Sequence, residues 1–225
     1  MIPGTFTPHG ASSKAPITDL SYRDNHVAND AAGRSSYTHP NLSIGAADPD
    51  RWVIVAVQAM SFTTNAFTGC TIGGVAATEI YGFAASGSPN GGAMALYAAN
   101  VPTGTTVDVA ITQSPNAYRQ GCGVWTCIAP DGIEFVDGDN ANTGDTLSLA
   151  VDVENGGVVI AMAKEGSSPT FTFTNATKDF ETSLNGVHEF AGGSEAITAN
   201  ESSRDYSIAI TASNTQQLGF AVSMR

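Results

Sequence analysis

The residues best suited to chemistry crowd into one acidic stretch. Asp131-Gly132-Ile133-Glu134 is followed by Asp137-Gly138-Asp139-Asn140-Ala141-Asn142-Thr143-Gly144-Asp145. Carboxylates and amide carbonyls clustered in a glycine-bearing loop are the hard oxygen ligands that a calcium ion takes. Asp137, Asp139 and Asp145 are therefore the candidates for a structural calcium site. The spacing departs from the twelve-residue calcium loop, because Ala141 stands where a ligand oxygen is needed and the closing Glu is missing. A solvated acidic turn is the reading the spacing favours, and no other cofactor is expected.

Elsewhere the reactive residue types are scattered. His9, His26, His39 and His188 fall in no metal-ligand spacing, which predicts packed or solvated imidazoles. The sequence holds no Gly-x-Ser-x-Gly elbow, no Gly-x-Gly-x-x-Gly and no P-loop. Glu79 with Glu134 or Asp152 would make a carboxylate pair for glycoside hydrolysis only at a separation that spacing alone does not reveal. No enzyme is expected. Tyr81, Tyr97, Trp52 and Trp125 are the aromatics that could stack on a sugar, although rings within strands more often pack a core. Cys70, Cys122 and Cys127 match no zinc pattern and cannot all pair within the chain, so buried free thiols are expected, with one bridge from Cys70 to Cys122 or Cys127 as the alternative. The sequons at Asn41, Asn175 and Asn200 matter only in a secretory pathway.

The elements that would position these residues are strands. Trp52-Val53-Ile54-Val55-Ala56-Val57 is a continuous β-branched run, as in a strand buried on both faces. Cys70-Thr71-Ile72 and Val75 to Tyr81 flank Gly73-Gly74, the mark of a tight hairpin. Thr106 to Thr112 alternates, and Gly121 to Ile128 forms a further strand. Leu147 to Val153 alternates, turns at Asn155-Gly156-Gly157 and returns as Val158 to Ala163, the clearest hairpin signal in the chain. Further short strands follow to Leu218–Val222, close to Met224-Arg225, so the C-terminus is expected to be tied into a sheet. About a dozen strands with glycine turns predict an all-β fold, an antiparallel β-sandwich of jelly-roll-like type over residues 37–225, as one domain. Residues 1–36 show no usable period beyond a weak helical signal over Asp24 to Ala32. They read as an irregular extended N-terminal arm, ordered by docking on a neighbour through Phe6, Ile17, Leu20 and Tyr22.

Composition agrees with strands and turns. Apolar residues make up 42% and charged residues only 13% of the 225 residues, against roughly a quarter charged in average chains. The net charge is −12, and between Asp131 and Asp205 fourteen acids face only Lys164, Lys178 and Arg204. With no basic stripe, nucleic acid is not an expected partner. No run approaches the ~20 apolar residues of a membrane span, and Met1–Gly10 lacks a basic-then-apolar leader. Synthesis in the cytoplasm and a soluble product are expected.

Four segments resemble a known family. They are Ser43-Ile44-Gly45 with Asp48-Pro49-Asp50-Arg51, Thr71-Ile72-Gly73-Gly74-Val75-Ala76-Ala77, Val101-Pro102-Thr103-Gly104-Thr105-Thr106-Val107, and Gly121-Cys122-Gly123-Val124-Trp125. Together they resemble a β-sandwich domain of virion structural proteins in tailed bacteriophages and related particles, over roughly residues 37–225. The resemblance implies a capsid decoration (cement) protein or a head fibre, located on the virion, contacting the major capsid protein or other virion subunits, and forming a homo-oligomer, by family habit a trimer. A tail-associated module is the other placement, and a carbohydrate-binding, receptor-recognition domain of a tail fibre or spike is the alternative function.

Overall fold

A computed structural model describes residues 14–61, 65–85, 92–142, 144–166, 170–184, 186, 188–211 and 217–225. The described residues form strands and no helix: β1 (Thr18–Ser43), β2 (Arg51–Met60), β3 (Ala66–Ile72), β4 (Val75–Ala76), β5 (Thr78–Ala85), β6 (Gly92–Asn100), β7 (Thr106–Ile128), β8 (Phe135–Ala141), β9 (Thr146–Val153), β10 (Val158–Glu165), β11 (Phe171–Thr174), β12 (Thr177–Ser183), β13 (Glu189–Ala196), β14 (Glu201–Ile210) and β15 (Leu218–Met224). They make three antiparallel sheets packed as a sandwich. The first has the order β4-β3-β7-β2-β6-β5, with β1 along β7; the second is β12-β13-β10-β15-β8; the third is β11-β14-β9.

Side-chain parity explains the layers. Along β2, Val53, Val55 and Val57 point into the concave side of the first sheet, which curls towards a barrel. Ile54, Ala56 and Met60 point the other way, into the core shared with the second sheet. In the second sheet, Val158, Ile160 and Met162 of β10 enter that same core, whereas Val159, Ala161 and Ala163 face the third sheet. Strands covered on both faces read as unbroken apolar runs. The third sheet is wet on one side, so β9 alternates: Leu147, Leu149, Val151 and Val153 are buried and the residues between them are exposed. Each such aliphatic side chain taken fully out of water contributes about 1.5–3 kcal/mol.

The first sheet is organised by β7. Its early residues pair with β3 and its later ones with β2. Val109 and Ile111 nonetheless share one core with Cys122 and Val124, so the strand bends back across its own middle. The two strands expected at 106–112 and 121–128 are thus one bent strand.

Three expectations are corrected. First, β9 and β10 do not form a hairpin, because β9 pairs with β14 while β10 pairs with β13 and β15. The turn is real, with Gly157 N–H donating to Glu154 O at 2.9 Å and Gly156 at φ +77°. It moves the chain from the third sheet to the second, since a strand with one polar face belongs in an outer layer and one buried on both faces in an inner layer. Second, Asp24–Ala32 is strand, with no helix. Third, position 36 is no boundary: β1 runs antiparallel along β7 from Thr18↔Ile128 to Ser43↔Thr106. Residues 18–36 therefore find their order on this chain's own sheet. The Gly73-Gly74 hairpin forms as expected, at φ +60° and +81°, and the C-terminal β15 lies inside the second sheet.

Candidate functional site

The acidic stretch is an edge strand. β8 pairs with β15 on one side, and the side chains of Asp137 and Asp139 reach the neighbouring sheet. Asp137 Oδ2 accepts the backbone N–H of Asp152 at 2.8 Å, and Asp139 Oδ2 accepts that of Ala150 at 3.0 Å. These carboxylates fasten β8 to the otherwise unpaired edge of β9, where free donors would invite a foreign strand. Asp145 contributes its carbonyl, to Ile210 N–H at 2.8 Å. Among the described residues no three His, Cys, Asp or Glu side chains converge as metal ligands. The calcium candidates are therefore not assembled: Asp137 and Asp139 serve as acceptors for β9.

The opposite face of β8 meets β5, and two bulges aim the residues that meet there. Along β15 the register passes from Ser223↔Asp137 to Met224↔Phe135, leaving Val136 as an extra residue. That insertion puts Phe135 on the same side as Gly138 and Asn140. Along β6 the register passes from Tyr97↔Glu79 to Leu96↔Tyr81, with Ile80 extra. Glu79 is thereby directed to the concave side of the first sheet, where it accepts the Tyr97 hydroxyl at 2.6 Å. Tyr81 is turned towards β8. Bulges commonly re-aim side chains in this way.

The Tyr81 and Phe135 rings lie near-parallel, 11° apart in plane with centroids 6.3 Å apart. They flank Gly138, where an added Cβ would sit 2.8 Å from Tyr81 and 3.2 Å from Phe135. Asn140 Nδ2 donates to the Tyr81 hydroxyl at 2.6 Å. Phe83 and Phe220 back the Tyr81 ring at 6.4 and 6.2 Å. Phe135 is 44% exposed, which forgoes on the order of 2 kcal/mol of burial for a ring of this size.

The other sequence candidates are placed elsewhere. Trp125 is fully buried, its indole N–H donating to Asp179 at 2.7 Å. Tyr97 is buried, Trp52 half-buried. Of the four aromatics considered for sugar stacking, Tyr81 alone joins an exposed cluster. Glu134 pairs with Lys14 at 3.3 Å, Asp152 accepts Ser203 N–H at 2.7 Å, and Glu79 holds Tyr97, so the carboxylates considered as a hydrolytic pair serve separate neighbours. Ile17 is in the core between the first two sheets, with Leu20 and Tyr22 packed against it. Tyr22 stacks on Phe180 at 5.4 Å. Ile17 is buried and Leu20 and Tyr22 are half-buried against this chain's own core, so all three are used within the fold; Phe6 lies outside the described residues. The cysteines are free and buried, and burial pushes Cys70 and Cys127 up to about 12.

Two buried polar assemblies had no signal in the spacing. Arg51, 2% exposed, donates to the carbonyls of Ile44, Gly45, Ala46, Val101, Thr103 and Gly104 at 2.5–3.3 Å. It binds together two of the segments that carry the family resemblance. Across the bend of β7, Gln113 Nε2 donates to Arg34 O at 2.9 Å and Gln120 Nε2 to Gln113 Oε1 at 2.9 Å. His39 Nε2 meets Gln120 Oε1 at 2.8 Å, and its Nδ1 meets His26 Nδ1 at 3.0 Å. The Arg34 carbonyl can only accept, so polarity is set along the chain: His39 donates through Nε2 and accepts from His26 through Nδ1. Burial, foremost, lowers His39 to about 4.

The fold and its edge define an all-β sandwich with a curled first sheet and an aromatic cluster between edge strands. No protein-family model matches the chain, and no curated protein matches it. A solved anti-sigma factor domain-containing protein is similar at 9% identity, covering 83% of this chain and 73% of that one, with a TM-score of 0.21. A likeness at that level carries no argument. Among the described residues no helix is long and apolar enough to cross a membrane.

Proposed function

We propose that this protein is a structural virion protein that decorates and stabilises a bacteriophage capsid, without catalysis of its own. Its partners in this reading are the major capsid protein or other virion subunits, together with further copies of itself. The resemblance of four sequence segments supports it, and the observation that carries it is the construction of the body. Three sheets have cores on both faces of the middle one; Asp137 and Asp139 fasten the second sheet to β9 of the third, and Arg51 ties β2 to the turns at 44–46 and 101–104 within the first. Asp137 and Asp139, the carboxylates that the sequence offers as metal ligands, are used in the first of these fastenings. The few surface charges and an acidic C-terminal half suit a subunit that presents solvent-facing area on a larger particle.

The described chain starts at Lys14, which sits against the C-terminal residue: Arg225 Nη2 donates to Lys14 O at 3.0 Å. In this reading residues 1–13, Phe6 included, are the anchor, and binding across capsomer seams favours the assembled shell by mass action. Immunogold electron microscopy of particles from cells expressing the protein tests the location. Label on capsids is the expected result; label absent from particles overturns the reading. A variant lacking residues 1–13 is expected to fold but to lose attachment, and full occupancy without those residues would remove the anchor from the proposal.

A further inference from the structure

We propose that the edge formed by β5 and β8 is a binding site for a neutral saccharide, seated on Phe135 and Tyr81 and hydrogen-bonded by Tyr81 and Asn140. The inference does not rest on a virion role. Its first support is geometric. A bulge on each of two different strands turns one aromatic ring to the same place, and Gly138 supplies the clearance that brings the rings together. The Tyr81 ring is held before any ligand arrives, by Asn140 at its hydroxyl and by Phe83 and Phe220 on its flank. A rigid ring loses little entropy on binding.

The second support is the chemistry left over. The Tyr81 oxygen accepts from Asn140 and so keeps its own proton to donate. Asn140 has donated one N–H and is exposed, leaving its carbonyl oxygen to accept. An apolar ring face bordered by one neutral donor and one neutral acceptor matches the C–H face and adjoining hydroxyls of a pyranose. Charge selects against the other flat ligands. Asp137 and Asp139 lie on the same strand and the whole chain carries −12, which disfavours nucleotides and sulfated or sialylated glycans.

The test uses the full chain, biotinylated and tetramerised on streptavidin so that weak single-site binding is registered, against an array of neutral, sialylated and sulfated glycans. Binding to neutral glycans is expected. Phe135→Ala should reduce it at least tenfold, and Tyr81→Phe, which keeps the ring, should reduce it severalfold. Both variants should keep the wild-type circular-dichroism spectrum. Absence of neutral-glycan binding by the tetramerised wild type overturns the proposal, as does binding confined to acidic glycans. Unchanged binding by folded Phe135→Ala overturns it too. If Phe135→Ala instead changes sedimentation of a wild type that binds no glycan, the exposed ring belongs to an interface between copies and the saccharide assignment is wrong.

Discussion

Burial takes His39 out of water and pushes its pKa down from 6.5 to about 4. A base whose folded pKa is lowered holds its proton less tightly in the folded state than in the unfolded chain. Its contribution is therefore intact above pH 6.5 and is lost as pH falls towards 4, at most about 3 kcal/mol for this one group. The geometry supplies the same sign: a proton on Nδ1 of His39 would set N–H against the N–H of His26. His188, lowered to about 4 by burial and then by Arg119 and Lys164, acts in the same direction. Urea midpoints measured at pH 7.5 and pH 5 should show the wild type losing stability in acid. His39→Gln, which can still bridge Gln120 and His26, should show a shallower loss. An equally steep loss in the variant would exclude His39 as the source.

Between elements, the closest packing is where the first and second sheets meet. Phe180 and Trp125 fill a space bounded by Gly123 of β7 and Gly192 of β13. A Cβ at Gly192 would lie 2.5 Å from the Phe180 ring and 2.8 Å from Trp125. Phe180 cannot retreat, since Tyr22 stacks on it at 5.4 Å and Phe190 meets its edge at 5.3 Å. Gly192→Ala should therefore cost about 1–3 kcal/mol, read as a lowered urea midpoint. Gly74→Ala makes the comparison: nothing lies within 4 Å, and only its φ of +81° opposes a side chain, a penalty of about 1 kcal/mol. Equal stability of Gly192→Ala and wild type would show that these sheets separate more easily than the packing indicates.

For the molecule as a whole, the decisive element is β1. It covers one side of β7, and its Tyr22 and Leu20 close the core between the first two sheets. Removing residues 1–36 strips that cover and should abolish a cooperative urea transition. Removing residues 1–13 should leave the transition where it is. A stable protein starting at residue 37 would mean that β1 is dispensable and that the sandwich ends at β2. The shorter deletion is accordingly the one that tests attachment without testing folding.

Strand positions, the all-β class and the distinction between strands wet on one face and strands buried on both are written in local apolar period, which is why Trp52–Val57, Leu147–Val153 and Val158–Ala163 could be read directly. The fate of β1 could not, because its sparse apolar residues become a strand only against β7. Pairing was equally hidden: the Asn155-Gly156-Gly157 turn specifies a reversal of direction, and packing decides which sheet receives the returning strand. The polar sites lay furthest out of reach. Tyr81 and Asn140 are 59 residues apart and His39 and Gln120 are 81 apart. What brings them together is a bulge, a one-residue change of register that reverses which face a side chain occupies, in the first case and the bend of β7 in the second, and neither leaves a periodic trace in the chain.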